Sequence, residues 1–121
     1  MSGGRPAVVS SFEAWVGVTV VRVVGDLGGF SGVMRERCLS LLDVAATAVV
    51  LDLSGVSFFD SSGLTDLLVV HHSRGPLGSR VRLVVGGFVR RRLEITGTAT
   101  LLPLHESLAD ALAAMSAGSA N

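Results

Sequence analysis

Apolar positions along the 121-residue chain change period several times, and each change marks a predicted element. Val8 to Glu13 and Val16 to Val24 read as two strands, the second alternating Val18, Val20, Arg22 and Val24, with a hairpin turn near Ala14 to Gly17. Gly25, Gly28 and Gly29 break that pattern. Ser31 is then a candidate N-cap for a helix carrying Val33, Met34, Arg37, Cys38, Leu41 and Leu42 at helical spacing. Ala48 to Leu53 is almost continuously apolar, as a strand covered on both faces should be. Ser61 to Ser73 is a second helix with Leu64, Leu67, Leu68 and His71 on one face, stopped by Gly75, Pro76 and Gly78. Arg80 to Val85 is a fourth strand, Gly86-Gly87 a turn, and Phe88 to Thr96 a third helix ending at Gly97. Thr100 to Leu104 is a short last strand, and Leu108, Leu112 and Met115 mark a C-terminal helix.

The order β-β-α-β-α-β-α-β-α predicts an α/β fold, with a mixed sheet of about five strands and about four helices. The opening hairpin supplies the antiparallel pair, and the later strands are joined by right-handed crossovers. Leu51, Leu53, Leu64, Leu67, Leu68 and Val84 are the expected core. The length fits one domain with a core from about residue 8 to 115 and short tails.

Composition narrows the picture. A hydrophobic fraction of 49%, 17% charged residues and a mean hydropathy of +0.60 belong to a chain that buries a core. The longest apolar runs are interrupted by Arg22, Thr47 and Asp52, and all fall short of the roughly 20 residues that span a bilayer. The first six residues show no export signal, so the cytoplasm is the expected location and no membrane partner is expected. A net charge of +0 predicts no direct nucleic-acid partner. Every basic residue is Arg, which excludes lysine chemistry. Cys38 is the single cysteine, expected as a buried, reduced thiol.

The segment from Val49 to Leu64 carries the candidate chemistry. A buried strand and a short apolar loop lead to Asp60-Ser61-Ser62-Gly63, where a helix opens. Asp60 suits the N-cap, accepting bonds from the free N–H groups of the first turn. Ser61 then stands at the first helical position, where an anion gains roughly 0.3–1 kcal/mol from the helix dipole. Gly63, lacking a Cβ, leaves room for a partner's backbone. Phosphate acceptance is one reading; capping alone is the other, and the local pattern does not separate Ser61 from Ser62.

Other candidates carry less. His71 and His72 are adjacent on a helix, point about 100° apart and make no metal pair, and His105 stands alone. Arg90, Arg91 and Arg92 read as a solvated helix face pairing with Glu94, or as a docking patch for an acidic partner. Gly86-Gly87 lacks the following Lys-Ser/Thr of a phosphate loop. No nucleophile–base pair is visible, so no enzyme and no cofactor are expected. A receiver-like phosphorelay domain, with Asp52 as acceptor, would need an acidic pair and a Lys, and the chain has no Lys.

The segment Ser57-Phe58-Phe59-Asp60-Ser61-Ser62-Gly63-Leu64 resembles the signature of STAS-domain anti-sigma factor antagonists. Val89-Arg90-Arg91-Arg92-Leu93-Glu94-Ile95-Thr96-Gly97 is similar to that family's basic helix, and Glu106 to Leu112 to its last helix. Gly25-Asp26-Leu27-Gly28 stands where the family has Gly-Glu-(Ile/Leu)-Asp, and Arg92 and Thr98 stand where apolar residues are usual. The resemblance implies that Ser61, the serine after the aspartate, is phosphorylated by a partner that is both kinase and anti-sigma factor, with Ser62 as the less favoured acceptor. It implies a partner surface formed by Asp26, Asp60, Ser61, Ser62, Gly63 and Leu64. A phosphatase resets such a switch, and the charge on Ser61 is expected to break the interface for want of a dedicated cation. A STAS module of a transporter or signalling scaffold is the alternative; the oligomeric state stays open.

Overall fold

The computed structural model describes residues 7–27, 32–44, 47–73 and 80–119. Strands β1 (Val8–Trp15) and β2 (Val18–Leu27) form the antiparallel hairpin, turning at Gly17, whose φ of 84° suits glycine. Helix α1 (Val33–Leu42) returns the chain to β3 (Ala48–Phe59), and α2 (Ser61–His72) to β4 (Val81–Val84). Helix α3 (Gly87–Ile95) and a 3₁₀ turn (Ala99–Leu101) lead to β5 (Leu104–His105), and α4 (Leu108–Ser119) closes the chain. The five-stranded sheet has the order β1-β2-β3-β4-β5, with β2 to β5 parallel to one another.

The alternation of the strands divides the core in two. Val21, Val23, Val49, Leu51, Leu53, Val81 and Leu83 face α1, α2 and α3, whose Met34, Cys38, Leu67, Val70, Val89 and Leu93 are buried against them. On the other face Val18, Val20, Val50 and Val84 meet Ala111 and Met115 of α4. Leu51, Leu53, Leu67 and Val84 are buried as expected, whereas Leu64 and Leu68 are only partly buried at the margin of the larger cluster.

The elements depart from the sequence pattern in several places, β2 among them, which runs on past Val24 to Leu27. The largest departure is β3, which continues through Ser54 to Phe59 where a loop was expected. Its pairing with β2 steps from Arg22↔Asp52 to Val24↔Gly55 and from Gly25↔Val56 to Asp26↔Phe58. At each step β3 spends one more residue than β2, as a β-bulge does. Core-facing positions therefore run Leu51, Leu53, Val56, Phe59, and the period of two dissolves. The last strand is confined to Leu104–His105, because Ala99–Leu101 coils into the 3₁₀ turn with Leu101 exposed. Helix α3 begins at Gly87, one residue inside the expected turn, with the Gly86 carbonyl accepting from Arg90 N–H. Ser31, Gly28, Gly29 and the expected stop at Gly75, Pro76 and Gly78 lie outside the described residues, as does the first six-residue segment; Gly32 stands at the N-cap of α1.

Candidate functional site

Parallel strands deliver their C-terminal ends to one rim of the sheet, and loops and helix starts collect there. The two bulges let β3 reach this rim beside the end of β2, where Asp26 pairs with Phe58 and Leu27 with Phe59. Asp60 follows at once with extended backbone (φ −115°, ψ −172°) and caps α2. Its Oδ1 accepts from Ser62 N–H and Gly63 N–H at 3.0 Å each and from the Ser62 hydroxyl at 2.7 Å. One carboxylate oxygen thus satisfies the first turn and occupies the Ser62 side chain.

The two serines are thereby made unlike. Ser62 is half-buried and donates its hydroxyl to Asp60. Ser61 is exposed, and among the described residues its Oγ makes no hydrogen bond; its carbonyl accepts from the Thr65 hydroxyl at 3.0 Å. Ser61 faces a shallow cavity of about 260 Å³, shared with Phe58, Leu64, Arg92 of α3 and Thr96 at its C-cap.

Arg92 corrects two expectations. It does not pair with Glu94, and no arginine of the 90–92 run makes an ion pair among the described residues. Its guanidinium instead lies over the Phe88 ring, 5.7 Å from the centroid, one turn back along α3. A cation therefore lines the cavity that Ser61 faces, where none was expected. Sequence reasoning missed this because 31 residues separate the two positions, and only the packing of Val89 and Leu93 on the sheet swings Arg92 to the rim. The available signal was Arg92 itself, a charge at a position where the resembling family is apolar.

The other expected site residues fall as follows. Asp26 lies within β2 instead of a loop, half-buried, and accepts from the Ser57 hydroxyl at 3.2 Å. Leu64 contributes an apolar wall to the cavity. Gly63 is not available to a partner's backbone: it is buried, and a Cβ there would stand 2.5 Å from the Leu27 carbonyl oxygen and 3.1 Å from Phe59 Cδ1. The close approach it permits is internal, between the start of α2 and the end of β2.

Asp52 does not resemble a displayed phosphoacceptor. It is 3% exposed, its Oδ2 lies 3.2 Å from Arg22 Nε, and its Oδ1 accepts from Ser54 N–H and the Ser54 hydroxyl at 3.0 and 2.7 Å. Sheet order also separates this fold from receiver-like domains, whose parallel strands run 2-1-3-4-5. The His71 and His72 rings meet edge to face at 5.6 Å, and no group of three metal-ligating side chains occurs among the described residues. His105 sits beside Arg82, and burial first, then the Arg82 charge, lower its pKa against a smaller upward pull from Asp110. Among the described residues no helix is long and apolar enough to cross a membrane.

Sheet order, capped α2 and the rim site together define a STAS domain, and the STAS family model matches residues 12–111. The chain belongs to the STAS domain family. Its fold is shared by an anti-sigma factor antagonist from Mycobacterium paratuberculosis, at 29% identity and a TM-score of 0.80, over 90% of this chain and 93% of the other. The anti-sigma factor antagonist SpoIIAA in its unphosphorylated form is similar at 17% identity and a TM-score of 0.76, over 91% of this chain and 97% of its own. The Bacillus cell fate determinant SpoIIAA in the phosphorylated form gives 16% and 0.69, over 89% and 99%. No curated protein matches the chain significantly.

Proposed function

We propose that this STAS domain is an anti-sigma factor antagonist, a cytoplasmic switch set by phosphorylation of Ser61. The observation that carries the reading is the contrast between the two serines: Ser61 Oγ is exposed and unbonded, while Ser62 Oγ is held by Asp60. The Mycobacterium relative supports the same role, being an anti-sigma factor antagonist at 29% identity over nearly the whole domain.

In this reading the unphosphorylated protein docks on an anti-sigma factor kinase through the rim formed by Asp26, Asp60, Ser61 and Leu64, with Ser62 and Gly63 shaping it from beneath. Docking frees the sigma factor. The kinase then transfers the γ-phosphoryl group of its ATP: the Ser61 Oγ–P bond forms, the bond to the ADP leaving oxygen breaks, and the hydroxyl proton passes to a base of the kinase. The product carries about −1.5 to −2 charges at neutral pH. The start of α2 tolerates a negative group, so the fold persists while the apposed surface is lost. A phosphatase restores the hydroxyl. The domain itself contributes no catalytic group and needs no cofactor.

Incubation with the cognate kinase and ATP should add one phosphate, seen by intact mass. Ser61→Ala abolishes the gain and Ser62→Ala retains it. Phosphate mapped to Ser62 in the wild-type protein would overturn the assignment.

A further inference from the structure

We infer that Arg92 is an intramolecular receptor for a phosphomonoester on Ser61, so that the modified rim offsets part of its own charge and closes the cavity over Phe58. The inference rests on the reading of Ser61 as phosphoacceptor and names what the phosphate meets.

Three observations lead to it. First, the amides that usually make a helix start attractive to anions are already engaged. Ser62 N–H and Gly63 N–H both donate to Asp60 Oδ1, and Leu64 N–H donates to the Asp60 carbonyl at 3.0 Å. Beyond the Ser61 N–H, a phosphate on Ser61 must therefore find donors away from the first turn of α2. Secondly, Arg92 lines the same cavity as Ser61 and is uncommitted. Arg22 and Arg35 are paired with Asp52 and Asp66, and Arg80 donates to the carbonyls of Leu42, Val44 and Thr47. Among the described residues Arg92 has no carboxylate partner, and a guanidinium lying over an aromatic ring can still donate its N–H groups to an anion. Thirdly, both walls are anchored: α3 by buried Val89 and Leu93, α2 by buried Leu67 and Val70. The guanidinium therefore lines the cavity from one fixed side and Ser61 from the other, and paired N–H donors match phosphate oxygens. Thr96 supplies wall alone, since its hydroxyl is already bonded around the carbonyls of Arg92 and Leu93 at 3.1 Å.

The consequence is a phosphorylated state defined by a new contact as well as by added charge. Arg92 drawn over the phosphate covers the apolar floor of Phe58 and Leu64, and that floor is withdrawn from a partner.

The test uses the full chain with phosphoserine installed at position 61 during translation, so that no kinase is required. The second ionisation of the phosphate is followed by ³¹P NMR against pH. A neighbouring cation favours the dianion, so the phosphate should titrate below the usual value of about 6, and Arg92→Gln should raise its midpoint by about half a pH unit or more. Arg91→Gln, one residue away and equally exposed, should leave it unmoved, and high salt should bring the wild type towards Arg92→Gln. Identical titrations for wild type and Arg92→Gln overturn the inference, as does an equal response to Arg91→Gln. Failure of a kinase to modify Ser61 would refute the proposed function without altering this titration, so the two ideas fail separately.

Discussion

Cys38 offers a direct measure of how tightly the α1 face is closed. The thiol is 0% exposed, and burial pushes its pKa from the usual 9.0 up to about 12, against a smaller lowering by Arg37. Because the folded value is raised, the unfolded chain loses this proton first. The group's stabilising effect is complete below pH 9 and fades as pH climbs from 9 towards 12. From those two values the loss at pH 11 is about 2–3 kcal/mol relative to pH 8, a large share of a small domain's stability. The chain contains neither Lys nor Tyr, and its arginines stay protonated, so Cys38 is the one side chain titrating in that window. Urea denaturation followed by far-UV circular dichroism, in reductant at pH 8, 10 and 11, reads the effect. Wild type should lose stability steeply, whereas Cys38→Ala, weaker at pH 8 by about 1–2 kcal/mol for the emptied volume, should stay nearly flat and draw level with or pass the wild type by pH 11. Equal slopes, or alkylation of Cys38 in the native protein at pH 8, would show that the thiol is not sealed and refute the argument.

Gly63→Ala sets about 1 kcal/mol of improved helix propensity against a Cβ only 2.5 Å from the Leu27 carbonyl oxygen. Overpacking of about 1–3 kcal/mol should win, lowering the urea midpoint, and a midpoint that rises would refute the close approach. Ser61→Asp should shift the melting temperature little, because a carboxylate at the start of α2 is tolerated. The same change should weaken kinase binding at least tenfold, about 1.4 kcal/mol, by calorimetric titration; a large melting drop, or unchanged affinity, would contradict a switch that works at the surface.

The parts legible in the sequence were those governed by local rules. The Val-rich runs of β2 and β3, the Asp60 cap and the spacing of Leu67 and Val89 each state their element through period or capping chemistry. Ser54 to Phe59 misled because bulges rephase the strand there, and no period of two survives to be read. Gly63 stands out in the sequence by its missing Cβ, which does not announce that the backbone approaching it is that of Leu27. The inequality of Ser61 and Ser62 depends on the direction of two side chains around one carboxylate, which spacing does not encode. Arg92 joined the site only through tertiary packing of α3.

The two irregularities in β3 bear on how such a chain can change over generations. Between Leu53 and Phe59 the core-facing side chain recurs every third residue, so the segment counts its way to Asp60. A substitution at exposed Ser54 or Ser57 leaves that count alone. Removal of a single residue would erase one bulge, straighten β3 there, and carry Asp60 and Ser61 away from α3. Exposed positions such as Ser54 and Ser57 should therefore drift in identity among descendants while the length from Leu53 to Gly63 stays fixed, and codon loss or gain there should be purged.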